Sequence, residues 1–148
     1  MSVILEVQNA EKYYGNKGNI SPALNDLSFT VSEGEFVGIM GASGSGKTTL
    51  LNCISTIDTL SAGRVLIKDK NIAILKGKEL DRFRAESLGF IFQDFNLLDT
   101  MTARENIALA LSVRGEEESR INPKIEDIAG LLGIVDVLDK KNAACIAG

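Results

Sequence analysis

Histidine is absent from the 148 residues of the chain. Its absence removes the side chain that most often moves protons near neutral pH, so any acid–base step must use another residue. Cysteine is scarce as well, with Cys53 and Cys145 alone in the sequence. Two cysteines so far apart lack the spacing of metal ligands. We expect both to be reduced thiols with packing or surface roles, as in cytosolic proteins.

Long apolar runs and an excess of positive charge are also missing. The apolar run at 107–111 (IALAL) is far shorter than the roughly 20 residues that span a bilayer. The first eight residues, MSVILEVQ, lack the basic region and apolar run of a signal peptide. The net charge is −4, and nucleic-acid binding needs a basic face. We therefore expect no nucleic-acid partner.

The composition is that of a folded globular chain, with 45% apolar and 24% charged residues. Period-2 alternation and short apolar runs predict strands at 4–7, 23–31, 36–40 and 88–92, and a hairpin over 64–74 that turns near Asp69 and Lys70. The runs at 36–40 (FVGIM) and 88–92 (LGFIF) are continuous, which is typical of strands buried on both faces.

Helical periodicity predicts four helices, over 47–58, over 78–86, from 102 onward and over 123–132. Thr102 and Glu105 have capping-box spacing at the start of the third. For the fourth, we expect Asn122 as N-cap, Pro123 at the first helical position and Gly133 at the end.

A phosphate-binding loop lies between the buried strand at 36–40 and the first helix. Residues 41–48 (GASGSGKT) match G-x-x-x-x-G-K-[ST] at every position. Glycines let backbone N–H groups approach an anion, and the helix N-terminus adds its dipole. Lys47 should reach the β- and γ-phosphates, and the Thr48 hydroxyl should bind Mg²⁺. The predicted cofactor-binding residues here are Gly41, Ser43, Gly44, Ser45, Gly46, Lys47, Thr48 and Thr49.

A P-loop alone leaves several classes of enzyme open, and GTPases are one of them. Their N-K-x-D motif fails here, because residues 16–19 are NKGN. A D-x-x-G sequence occurs at 127–130, but inside a predicted helix. Neither sequence favours a GTPase.

A second region distinguishes among the remaining classes. Residues 88–111 (LGFIFQDFNLLDTMTARENIALAL) resemble the Q-loop region of ABC transporter ATPases, close to the branch serving macrolide, lipoprotein and bacitracin-type exporters. The segments 34–52 (GEFVGIMGASGSGKTTLLN) and 63–72 (GRVLIKDKNI) are similar to the same branch. The resemblance runs from about residue 4 to 133.

The resemblance implies an α/β fold. It would be a P-loop NTPase core of the ABC type, with antiparallel N-terminal strands and the start of a helical subdomain, truncated. The nucleotide-binding core would occupy residues 1–93 and the partial helical subdomain 94–148. In this family the helix near 119–132 begins earlier and is uninterrupted, so Asn122-Pro123 should delay or kink it here.

The resemblance also implies ligands and partners. ATP and Mg²⁺ would be bound, with Gln93 contacting Mg²⁺ and the attacking water. Tyr14 would stack on adenine, although Tyr13 could do so instead. The chain would act with a membrane permease and a second nucleotide-binding subunit, as a cytoplasmic protein peripheral to the inner face of the membrane. Export of antimicrobial peptides or lipoproteins is the implied process.

Several family motifs have no counterpart in the sequence. A Walker B strand ends in Asp followed by Glu, and none of the candidates Asp69, Asp94 and Asp136 has that pattern. Residues 139–148 (DKKNAACIAG) match the signature region poorly, with Gly148 at a signature glycine. We therefore predict no catalytic residue beyond the positioning role of Gln93, and little hydrolysis by this chain alone. The alternative function is a non-hydrolysing nucleotide-binding remnant or regulator from a disrupted gene.

The lack of these family segments also affects the expected folding of the chain. In the family, two later parallel strands lie between the strand before the P-loop and the strand before Gln93. A gap there leaves backbone groups and apolar side chains exposed. We expect the isolated chain to be marginally stable, rearranged or dependent on a partner.

Overall fold

A computed structural model describes residues 2–16, 18–94 and 96–141. Cys145 and the segment compared with the signature motif lie outside these described residues. The chain divides into two compact units, residues 1–88 and 89–148.

The first unit contains a four-stranded antiparallel sheet with the order β2-β1-β3-β4. The strands are β1 (Val3–Asn16), β2 (Asn19–Ser32), β3 (Ala62–Ile67) and β4 (Lys70–Asn71). Lys68 and Asp69 have φ angles of 48° and 62°, which a two-residue hairpin of type I′ requires. The predicted turn near Asp69 is therefore confirmed. The hairpin is shorter than the predicted 64–74, because β4 ends at Asn71 and Ile72–Ile74 form a 3-10 helix.

Two helices pack against this sheet, α1 (Lys47–Ile54) and α2 (Gly77–Ser87). Phe83 of α2 joins a buried cluster with sheet residues such as Val7 and Val65. On α1, Leu50 and Cys53 pack with Leu24 of β2. These contacts fix the first helix, and the loop before it, against the second strand.

The two continuous apolar runs do not form the buried strands that the sequence predicted. Residues 36–40 and 88–92, all described, are not assigned to any strand. Phe36 is 99% exposed, Met40 94% and Ile91 96%. The prediction was wrong because an apolar run becomes a strand only when neighbours pair with its backbone, and no described segment does so here.

The second unit consists mainly of α3 (Ala103–Val113) and α4 (Glu118–Leu132), followed by a short 3-10 helix, Val135–Val137. Its core is Ile125, Ala129 and Leu138, each with 0% exposure. The predicted capping box is confirmed: the Thr102 side chain accepts from the Glu105 N–H, and the Glu105 carboxylate accepts from the Thr102 N–H.

The predicted start of the fourth helix is wrong. This helix begins at Glu118, with Pro123 inside it, and Asn122 is not its cap. Proline removes one backbone hydrogen bond, but Ile121, before it, packs against the core of the second unit. Burial of that side chain favours a helix that extends ahead of the proline. Gly133 ends the helix as predicted, with a left-handed φ of 69°. In the described part of the chain, no helix has both the length and the apolarity to cross a bilayer.

Candidate nucleotide-binding site

The loop before α1 ends in a helix N-terminus without a side-chain cap. Gly46 is the N-cap residue, with a φ of 89° in the left-handed region, and no side chain accepts a hydrogen bond there. The first turn of α1 contains no acidic residue. The first N–H groups of a helix have no intrahelical acceptor and carry the positive end of its dipole. This end of α1 is therefore suited to an anion.

Glycine is required at the end of this loop for two reasons. The positive φ of Gly46 is unfavourable for residues with a Cβ atom. A Cβ at this position would also lie 2.2 Å from the carbonyl oxygen of Ala23 in β2. At Gly41 an added Cβ would lie 2.6 Å from Ser45 Oγ. Backbone therefore excludes a larger residue at Gly46, whereas at Gly41 the Ser45 side chain would have to move.

The ammonium group of Lys47 lies over the loop. Lys47 Nζ donates to the carbonyl oxygens of Gly41 at 2.8 Å and Ala42 at 2.7 Å, and to Ser45 Oγ at 3.4 Å. A cation is thus centred over a glycine-rich turn at the positive end of a helix. Phosphate oxygens can accept hydrogen bonds both from this ammonium group and from the backbone N–H groups.

The other predicted P-loop residues occupy the same turn and the start of the helix. Gly41, Ser43, Gly44 and Ser45 lie in the exposed loop, and Thr48 and Thr49 lie in the first turn of α1. Thr48 is exposed, so its hydroxyl is open to a ligand.

Tyr14 lies beside this helix, near the end of β1. Its hydroxyl donates to Asp58 Oδ2 at 2.7 Å, and the ring is partly exposed. The pKa of Tyr14 is raised, chiefly by this hydrogen bond to a carboxylate, and the Thr49 side chain opposes that rise. Tyr13 instead donates to Glu11, which raises its pKa. Of the two tyrosines, Tyr14 is the one that interacts with the first turn of α1, through the Thr49 side chain.

A partly buried ion pair lies beside Tyr14, and no sequence motif indicated it. Lys12 is only 8% exposed, and its Nζ donates to Asp58 Oδ1 at 2.6 Å and to the Thr59 carbonyl at 2.7 Å. The hydrogen bonds from Lys12 and then Tyr14 lower the pKa of Asp58 to about 2. The sole sequence signal is that Lys12 precedes Tyr14 by two residues and so shares its strand face.

Gln93 belongs to the second unit, in an exposed turn at 93–94. The P-loop and Tyr14 belong to the first unit. Asp69 lies in the β3–β4 turn, Asp94 in the turn after Gln93, and Asp136 in the 3-10 helix. The D-x-x-G sequence at 127–130 lies inside α4, as predicted.

The sequence is similar to one known protein family and to several proteins of known name. The family described as ABC transporter matches residues 24–145. The bacitracin export ATP-binding protein BceA of Halalkalibacterium halodurans is 50% identical over 137 residues, which are 93% of this chain and 54% of that protein. The ABC transporter ATP-binding protein YxdL of Bacillus subtilis is 50% identical over 142 residues, 95% of this chain and 54% of the relative.

A solved structure supports the same assignment. The dimeric, post-hydrolysis ATP-binding cassette MJ0796 bound to ADP and Pi matches with a TM-score of 0.86 and 31% identity. The match covers 95% of this chain and 62% of that one. It confirms the predicted fold class, an α/β cassette with antiparallel strands ahead of the P-loop. The chain spans about half the length of the curated relatives it matches.

Proposed function

The chain belongs to the ABC transporter family, and we propose that it is an ATP-binding portion of an exporter cassette that holds Mg-ATP at the loop before α1. The observation that carries the proposal is the uncapped N-terminus of α1 with the Lys47 ammonium over the loop. This arrangement offers a cation and backbone donors to one anionic group, with no acidic residue in the first turn to compete.

The residues around the loop have distinct proposed roles. Lys47 donates to the β- and γ-phosphates, and N–H groups of the loop donate to the phosphate oxygens. Tyr14 presents its ring to the adenine base. Thr48 would hold Mg²⁺, which offsets the negative charge of the phosphates. A metal contact from Gln93 stays a prediction of the sequence resemblance. The exposed Thr48 hydroxyl in the first turn of α1 fits this role.

Family members hydrolyse ATP, but we propose that this chain alone turns over near background. Its sequence contains no histidine and no Asp-Glu pair. Loss of groups that stabilise the transition state costs orders of magnitude in rate. The lack of these residues also favours the alternative function, a nucleotide-binding remnant or regulator without turnover.

We further propose that the full assembly pairs two such cassettes with a membrane permease at the inner face of the cell membrane. The name of the Aggregatibacter actinomycetemcomitans relative, macrolide export ATP-binding/permease protein MacB, joins both functions, and it is 37% identical over 138 residues. The MJ0796 cassette is dimeric. The bacitracin exporter relative supports an antimicrobial peptide as cargo.

Amide hydrogen exchange at residues 43–49 tests the proposed site. We expect Mg-ATP to protect these amides in the wild type and not in Lys47→Ala. The control is Lys70→Ala, which removes an exposed ion pair with Glu79 elsewhere in the first unit. Equal protection in wild type and Lys47→Ala would contradict the site. Phosphate release at the rate of a complete cassette, lost in Lys47→Ala, would contradict the proposed lack of turnover.

A further inference from the structure

The Tyr14 ring is held from two sides by residues outside the nucleotide motifs. Its hydroxyl donates to Asp58 Oδ2 at 2.7 Å, and Lys12 Nζ lies 4.9 Å from the ring centroid. The hydrogen bond fixes the tip of the side chain, and the cation occupies one face of the ring. A flat ligand can therefore stack only on the opposite face.

Asp58 is itself held firmly. Its Oδ1 accepts from Lys12 Nζ at 2.6 Å and from its neighbour, the Thr59 N–H, at 2.7 Å. Lys12 Nζ also donates to the Thr59 carbonyl at 2.7 Å. The loop after α1 is thus tied to the middle of β1, and the acceptor for Tyr14 has little freedom to move.

Without this pair, the ring would have to be ordered when the ligand binds. Tyr14 is near the end of a strand and 44% exposed, so little core packing limits its rotamers. Ordering a side chain on binding reduces affinity, and a preorganised ring avoids that loss.

We propose that Lys12 and Asp58 are positioning residues that set the Tyr14 ring for base stacking. The proposal rests on the proposed function, since it requires a nucleotide at the loop before α1. The pair should affect affinity for the base and leave affinity for the phosphates unchanged.

Two ligands separate these contributions. Mg-ATP has a base, whereas Mg-tripolyphosphate offers phosphates only. Base–aromatic stacking contributes roughly 5- to 100-fold in affinity. We expect Tyr14→Ala to lower the affinity for Mg-ATP by that factor. Asp58→Ala and Lys12→Met should each lower it by about 3- to 10-fold. The affinity of all three variants for Mg-tripolyphosphate should stay within about twofold of the wild-type affinity. The control Lys70→Met, at an exposed ion pair, should change neither affinity.

A thermodynamic cycle adds a measurement that a general structural role would not affect. Tyr14→Phe keeps the ring but loses the bond to Asp58, so it should lower affinity for Mg-ATP alone. Asp58→Ala should then cause little further loss in the Tyr14→Phe background, because the two residues act through one hydrogen bond.

The outcomes are distinguishable. Loss of Mg-ATP affinity alone, with non-additive effects, supports the proposal. The proposal would be overturned if Asp58→Ala lost the same factor of affinity for both ligands. Unchanged affinity of Tyr14→Phe for Mg-ATP would also overturn it. A wild type that binds neither ligand would overturn the proposed function, and this inference with it.

Discussion

An added Cβ atom at Gly46 would lie 2.2 Å from the carbonyl oxygen of Ala23. This close approach joins the last glycine of the P-loop to β2, the strand against which Leu50 and Cys53 of α1 pack. The start of α1 is therefore positioned by backbone contact with the sheet as well as by its apolar face.

The first prediction concerns Gly46→Ala. We expect this substitution to weaken Mg-ATP binding at least tenfold, because the loop must move away from Ala23 to admit the methyl group. Gly34→Ala is the matched control, since Gly34 lies outside the P-loop and has a similar positive φ of 77° but no atom within 4 Å of an added Cβ. A titration of both variants with Mg-ATP measures the difference. Equal affinities would show that the contact with Ala23 is unimportant.

The second prediction concerns stability in acid. Asp58 has a folded pKa of about 2 against an ordinary value of 3.8. A carboxyl group whose pKa is lower in the folded state than in the unfolded state stabilises the fold at pH values above its unfolded-state pKa. This stabilisation is lost as the pH falls through the folded-state pKa. The Asp58 side chain is 29% exposed, so solvent weakens the effect. We expect it to contribute about 1–2 kcal/mol to the free energy of unfolding above pH 5.

Chemical unfolding of the wild type and Asp58→Asn between pH 6 and pH 2 measures this contribution. The difference in free energy of unfolding should shrink between about pH 4 and pH 2, since the protonated carboxyl then resembles the amide. A constant difference across that range would contradict the assignment of the ion pair.

The third prediction concerns the apolar segment at 36–40. Phe36 and Met40 are nearly fully exposed, and Val37 and Ile39 are also exposed. Contiguous apolar surface of this kind promotes association and dye binding. We expect Phe36→Ser/Met40→Ser to reduce self-association in sedimentation and the binding of a hydrophobic dye. The control is Ile74→Ser, which removes an apolar side chain 70% exposed elsewhere in the first unit. An equal reduction by both would argue against a role of the segment itself.

The fourth prediction concerns the capping box of α3. We expect Thr102→Ala to destabilise this helix by about 1 kcal/mol, because the Glu105 N–H loses its acceptor. Ser112→Ala near the end of the same helix should have little effect, since its hydroxyl only donates to the Ala108 carbonyl, which is already part of the helix. Amide exchange in 103–113 reports both. Faster exchange in Ser112→Ala than in Thr102→Ala would contradict the prediction.

Local signals in the sequence predicted the start of α1 and the capping box of α3, although α1 ends at Ile54 and not near residue 58. The P-loop before α1 and the Thr102–Glu105 box depend on residues a few positions apart, so their spacing alone indicates the geometry. The β3–β4 turn was likewise predicted from its neighbouring residues.

Features that depend on distant residues were not predicted. Lys12 and Asp58 are 46 positions apart, and only the folded sheet brings them together. The run at 36–40 has the composition of a buried strand, but composition does not supply the neighbours that a strand needs. The start of α4 was misplaced because burial of Ile121 favours helix ahead of Pro123, and local propensity does not include that burial.

The affinity of Lys47→Ala for Mg-ATP tests the central claim most directly. Lys47 supplies the ammonium group over the loop, and hydrogen bonds to charged groups contribute about 1.5–3 kcal/mol. Calorimetric titration should therefore show saturable binding by the wild type and by Lys70→Ala, and binding at least tenfold weaker by Lys47→Ala. Unchanged affinity in Lys47→Ala would contradict the assignment of the loop before α1 as the nucleotide site.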